Sequence, residues 1–193
     1  MHAPPELRCR ERPVPPPPAR LSSVLGGRPI ESPAPHGLVR KFALFVATGA
    51  GSGLSPFAPG TAGSAVGVLL FWPLSALGLP LFTVTVIGAT ALGIWAADVA
   101  ERVLGRKDDG RIVIDEVAGQ LLTLLPLIPA GRAESIPWLV TGFVTFRVLD
   151  VWKPGPVRWL QDNLRGGAGV VMDDVLAGIF GAAGLAVALW VLG

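Results

Sequence analysis

From Phe42 to Ala97 the chain runs for 56 residues without a single Asp, Glu, Lys, Arg or His. A soluble fold has no use for so long a neutral stretch, because loops and outer helix faces need charge to stay solvated. One bilayer crossing takes roughly 20 apolar residues, so the stretch is long enough for two. The remaining composition agrees: 51% of the 193 residues are apolar and 16% are charged, against about 25% charged in an average soluble domain. The expected fold is all-α, a polytopic helical membrane bundle with short or re-entrant helices. The formal net charge of +2 is too small to draw such a protein onto nucleic acid, and none is expected as a partner.

Scarce residues narrow the chemistry. Histidine occurs only at His2 and His36, cysteine only at Cys9, and tyrosine not at all. From residue 42 onward there is thus no His general base, no His-ligated zinc or iron, no thiolate nucleophile and no disulfide. That part of the chain has 11 carboxylates and nine Lys/Arg to work with, besides hydroxyls and backbone. A site built from carboxylates selects hard cations such as Mg2+ or Mn2+.

Residues 1–38 hold 10 of the 19 prolines, with Arg8, Arg10, Arg12, Arg20 and Arg28 among them. Such a segment cannot bury a core and is expected to be a disordered tail, leaving 39–193 as the helical membrane domain. Within that domain, Phe42–Ala50 reads as a half-helix or re-entrant segment and Gly51–Gly63 as a Gly/Pro-rich loop. Ser64–Leu81 and Phe82–Ala100 read as two apolar helices. Val117–Ile128 is apolar and short, Trp138–Trp152 is another helix, Lys153–Asp174 is a polar Gly-rich loop, and Val175–Gly193 is the last helix. Val117–Ile128 either starts earlier, near Asp109, or forms a shallow hairpin with Trp138–Trp152. The loops 101–116 and 147–174 each carry four Lys/Arg, while the turn 129–137 carries only Arg132. By the positive-inside rule, both charged loops face the cytoplasm, with the Gly51–Gly63 loop on the same side.

Charged residues gather on that face. Asp115–Glu116 and Asp173–Asp174 each stand where charge gives way to an apolar helix, and Asp150 lies at the far end of Trp138–Trp152. In an up-and-down bundle these helix ends meet. Five clustered carboxylates repel one another, so a divalent cation is the natural counter-charge; the alternative is that each acid merely complements a helix dipole. Arg147 and Asp150 share a helical face, and Pro154 ends the helix at Lys153. Arg147 and Lys153, with Arg158 and Arg165 nearby, either bind phosphate oxygens or form an ion pair and a lysine snorkelling to the headgroups. In Pro56–Ser64, glycines free backbone N–H groups for an anion, and Thr61 or Ser64 can cap the following helix. Gly166-Gly167-Ala168-Gly169 is either backbone close to a ligand or a flexible approach to Asp173. The physical reading reaches an integral membrane protein with a Mg2+-dependent, phosphate-handling site at the cytoplasmic face.

Four strings, in order, carry a resemblance: Gly51-Ser52-Gly53-Leu54-Ser55-Pro56 with Pro59-Gly60-Thr61-Ala62-Gly63-Ser64; Ile112-Val113-Ile114-Asp115-Glu116; Phe146-Arg147-Val148-Leu149-Asp150-Val151-Trp152-Lys153-Pro154; and Gly166-Gly167-Ala168-Gly169 to Asp173-Asp174. The stretch from about Phe42 to Gly184 resembles the phosphatidylglycerophosphatase A family. The resemblance implies a multi-pass enzyme of the bacterial inner membrane, its site facing the cytoplasm. It would hydrolyse phosphatidylglycerophosphate to phosphatidylglycerol and inorganic phosphate with Mg2+. It implies Asp115, Glu116, Asp150, Asp173 and Asp174 as metal ligands, and Arg147, Lys153, Thr61 and Ser64 as the phosphate-binding set. Among the carboxylates, Asp115, Glu116, Asp150 and Asp174 are the expected catalytic groups, one of them orienting a water or attacking phosphorus itself. Lys107 and Asp109 stand where some members carry histidine.

Two other functions use the same residues. A cation or proton transporter would place its acids in mid-span rather than at helix ends. A non-catalytic binder of anionic lipid would keep the loops without turnover.

Overall fold

The structure, a computed structural model, describes residues 37–153, 155, 157, 164 and 166–192. The Pro/Arg-rich segment up to residue 36, together with Arg158 and Arg165, lies outside the described residues. Among the described residues are six α-helices and no strand: α1 (Leu38–Ala47), α2 (Pro59–Ser75), α3 (Gly78–Leu104), α4 (Ile114–Leu124), α5 (Ile136–Trp152) and α6 (Gly167–Leu192). Single 3-10 turns at Ser52–Leu54 and Leu125–Leu127 precede α2 and follow α4. The expected all-helical class holds.

α3 and α6, of 27 and 26 residues, are long and apolar enough to cross a membrane. At 1.5 Å per residue each spans roughly 40 Å, more than a 30 Å hydrocarbon core. Their outer faces are apolar and open: Ile87 on α3 is 64% exposed and Trp190 on α6 is 86% exposed. Trp72 on α2 is 61% exposed as well. Water would penalise so much exposed apolar surface, whereas lipid does not. The chain is a membrane protein.

α4 is the helix the others surround. Seven of its 11 residues from Val117 to Leu124, together with Asp115, make it buried along nearly its whole length. It packs most extensively against α6 and then against α2. Phe71, Phe82, Val86, Val117, Leu121, Leu124, Leu127 and Leu185 form the main core around it. Pro126 and Pro129 follow closely and prevent further helix, so the chain turns back into α5. α4 therefore starts at Ile114, later than Asp109, and makes a short helix folded against α5.

Several helix boundaries differ from the sequence expectation. α2 starts at Pro59 rather than Ser64, because Pro59 at its first turn pre-sets the helical φ. α3 starts at Gly78 and runs on into the charged stretch to Leu104, where Gly105 (φ 68) closes it with an N–H donated to Glu101 O at 2.9 Å. α6 starts at Gly167 rather than Val175. The Gly-rich segment was expected to be a loop, but Gly167 and Gly169 are buried helical positions. A methyl group at Gly167 would lie 2.6 Å from the backbone N of Asp98, so this glycine serves close packing of α6 on α3.

Candidate functional site

Asp115 and Glu116 stand in the first turn of α4, where unpaired backbone N–H groups favour negative charge. Asp173 and Asp174 lie in the second turn of α6, both buried, and not at its start as expected. Asp150 sits in the last turns of α5, also buried. The three helix ends meet, and one carboxylate oxygen from each of Asp115, Glu116 and Asp174 lies within 4.8 Å of the others. Asp150 faces Asp174.

The meeting depends on two glycines. A methyl group at Gly119 would lie 2.6 Å from Asp174 O, and one at Gly178 would lie 2.9 Å from Gly119 Cα. Only hydrogen at these positions lets α4 and α6 approach closely enough to set Asp174 beside Asp115. Thr123 Oγ1 fastens the crossing by donating toward Gly119 O (3.0 Å) and Gly178 O (3.3 Å).

Two cations flank the acids. Arg147 Nη1 donates to Asp150 Oδ2 at 2.6 Å and lies 3.4 Å from Ser64 Oγ. Ser64 Oγ itself donates to Gly60 O at 3.0 Å. Lys153 Nζ donates to Asp173 Oδ2 at 2.6 Å. Lys153 takes a left-handed backbone (φ 43) as α5 ends. Burial works against its charge, but the hydrogen bond and attraction to Asp173, with Asp174 and Asp150 nearby, hold its pKa above the ordinary lysine value.

The sequence-predicted carboxylates, Arg147, Lys153 and Ser64 all come to this one place. Thr61 does not: it is exposed in the first turn of α2. The Gly-rich segment instead touches the acids through Gly60, where an added methyl group would run into the Glu116 carboxylate and lie 3.4 Å from Arg147 Nη1. Asp109 is occupied by Arg111, whose Nε and Nη2 donate to its two oxygens at 2.8 Å each.

Sequence reasoning missed Gln120. It lies one turn beyond Glu116 on the same face of α4, fully buried, with neither amide atom paired within the protein. A polar residue inside the apolar run Val117–Leu124 was the available signal.

The donor set can be tested against a metal. Asp115 Oδ1, Glu116 Oε2 and Asp174 Oδ2 are buried and lack any hydrogen-bond partner within the protein. Burial, then the neighbouring Glu116, raises the Asp115 pKa well above the usual carboxylate value, and burial likewise raises that of Glu116. Unpaired, mutually repelling oxygens from three convergent carboxylates suit a hard divalent cation such as Mg2+.

Fold and site together define a helical membrane protein whose polar centre is a buried carboxylate cluster flanked by an arginine and a lysine. The sequence profile of phosphatidylglycerophosphatase A matches residues 45–189. The chain belongs to that family, and so is a phosphatase. It is 37% identical to phosphatidylglycerophosphatase A of Escherichia coli (strain K12) over 137 residues, 71% of this chain and 77% of that one. It is 38% identical to phosphatidylglycerophosphatase A of Haemophilus influenzae over 136 residues, 70% of this chain and 81% of that one. A Bacteroides thetaiotaomicron protein, provisionally named a phosphatidylinositol-3-phosphatase, is 40% identical over 156 residues, 78% of this chain and 95% of its own. No solved structure matches.

Proposed function

We propose that the protein removes the terminal phosphate of phosphatidylglycerophosphate, leaving phosphatidylglycerol and inorganic phosphate. The observation that carries this is the convergence of Asp115, Glu116 and Asp174, with unpartnered oxygens, beside Arg147 and Lys153.

Asp115, Glu116 and Asp174 would hold Mg2+, with Asp150 and Asp173 around them. A bound divalent ion would supply Lewis-acid polarisation of the phosphoryl oxygens and a lowered pKa for its water. Arg147 would turn its guanidinium from Asp150 toward two phosphoryl oxygens, a geometry its planar fork suits. Ser64, anchored on Gly60 O, positions that guanidinium. Lys153 would neutralise a further oxygen. As water attacks phosphorus, one of the cluster carboxylates Asp115, Glu116, Asp150 and Asp174 would accept its proton. The P–O bond to glycerol then breaks, and the leaving oxygen takes the proton that the carboxylate accepted from the water.

Orientation follows from charge. Arg102 in the last turn of α3, and Arg106, Lys107 and Arg111 between α3 and α4, lie at the same end as the carboxylates. By the positive-inside rule, that end faces the cytoplasm of a bacterial inner membrane, which the helices cross more than once.

The Bacteroides relative supports a second headgroup, an inositol 3-phosphate, on the same chemistry. Phosphate release in detergent from phosphatidylglycerophosphate, phosphatidylinositol 3-phosphate and phosphatidic acid separates the readings, with and without Mg2+. Fastest release from the first, abolished by chelator and by Asp115→Asn, is expected. Equal release with chelator would remove the metal, and faster release from the inositol lipid would replace the substrate.

A further inference from the structure

α2 and α5 run antiparallel away from the site, and an apolar groove of about 380 Å3 lies between them. Ala65, Val68 and Leu69 line it from α2, and Leu139, Val140 and Phe143 from α5. On both helices the polar centre lies one turn beyond the groove lining. On α2, residues 61, 65 and 69 share one face at i, i+4 spacing, as do 64 and 68. The residue one turn above Val68 is thus Ser64. On α5, residues 136, 139, 140, 143 and 147 form the facing stripe, and the rung above Phe143 is Arg147. Arg147 Nη1 and Ser64 Oγ, 3.4 Å apart, join the two stripes where they turn polar.

The result is a slot that is apolar along its length and ends one turn from Arg147, which is paired with Asp150. From 136 to 143, α5 rises roughly 10 Å, about two thirds of the half-thickness of a 30 Å hydrocarbon core. Leu69 and Val140 are 68% and 54% exposed, so the slot is open from the bilayer side. Ordinary bilayer lipids meet apolar helix faces everywhere; here the apolar face ends on an arginine beside a carboxylate cluster.

We propose that the α2–α5 groove holds one acyl chain of the substrate lipid, which lies along it with its phosphomonoester at Arg147. The proposal rests on the lipid phosphatase reading above and adds where the lipid is gripped. The chain bends the headgroup back to the membrane surface, where the carboxylates sit, so the phosphate need not leave the bilayer boundary. It also sets specificity: a phosphomonoester without a chain has only the polar end of the slot.

The test is photocrosslinking of the full-length wild type in phosphatidylcholine nanodiscs. The probe is a phosphonate analogue of phosphatidylglycerophosphate, which cannot be hydrolysed, with a diazirine midway along one chain. Expected adducts concentrate on Val68, Leu69, Leu139 and Val140, and excess unlabelled phosphomonoester lipid removes them while excess phosphatidylcholine does not. Adducts spread over all lipid-facing helices, or indifferent to the competitor, overturn the proposal. Val140→Trp, which fills the slot, should lower kcat/KM for the dioleoyl substrate at least about tenfold and leave the Mg2+-induced rise in Tm intact. Unchanged kcat/KM in a folded Val140→Trp protein also overturns it. If wild type releases no phosphate from any lipid, the catalytic reading fails, and the adduct pattern still decides the groove.

Discussion

Lys153 Nζ donates to Asp173 Oδ2 at 2.6 Å, joining the residue that ends α5 to the second turn of α6. The Asp173 side chain is 4% exposed and that of Lys153 26%. Removing the lysine leaves a charge buried without its partner, which is costlier than losing the pair. Lys153→Met should destabilise by about 2 kcal/mol, below the range for a fully buried pair because the lysine is partly solvated. The double variant Lys153→Met/Asp173→Asn should recover part of that loss. A thermodynamic cycle on detergent-solubilised protein measures it, and strict additivity would remove the pairing.

Gly119→Ala should separate α4 from α6. The new methyl group would lie 2.6 Å from Asp174 O and 2.5 Å from Phe146 Cε2, both in the packed interior. Overpacking of this kind costs about 1–3 kcal/mol, and displacement of the carboxylates by even a fraction of an ångström should reduce phosphate release more than stability. Tm and turnover measured together distinguish the two effects; a fall in Tm with turnover unchanged would show that the approach does not position the site.

Mg2+ should stabilise the folded protein independently of turnover. At a concentration about 100 times its Kd, a ligand bound only by the native state adds roughly 2.7 kcal/mol. A rise in Tm with Mg2+ is expected for wild type and should disappear in Asp115→Asn, Glu116→Gln and Asp174→Asn. Persistence of the full rise in all three would place the ion elsewhere.

Asp109 offers a pH test away from the cluster. The Arg111 hydrogen bond, against the opposing effect of burial, lowers its pKa from 3.8 to about 2. A carboxylate with a depressed folded pKa contributes stability that is fully present above its unfolded value and is lost as pH falls through the folded one. Wild type should therefore exceed Asp109→Asn in Tm at neutral pH, with the gap narrowing below pH 3.8 and closing near pH 2. A gap constant across that range would exclude the ion pair as its source.

Much of the site was legible because its chemistry is rare along this chain. Asp115–Glu116, Asp150 and Asp173–Asp174 each stand beside a long apolar run, and Arg147 and Lys153 flank Asp150 three positions to either side. Less legible were the glycines. Composition makes Gly166–Gly169 look like a loop, since glycine disfavours helix by about 1 kcal/mol, yet α6 starts there because packing against α3 requires a residue without a side chain. The same ambiguity hid Gly60, whose place against Glu116 depends on a helix far away in sequence, and it drew attention to Thr61, which is exposed.

By itself the sequence determined the membrane character, the helical class and the stock of reactive groups, since length, hydropathy and residue type are local properties. Tertiary structure alone decided which of those groups meet. Arg147 reaches Ser64 across 83 positions, and Thr123 reaches Gly178 across 55. Such contacts exist only when small residues let helices pack to contact distance, and no local pattern of charge or period specifies which small residue faces which helix.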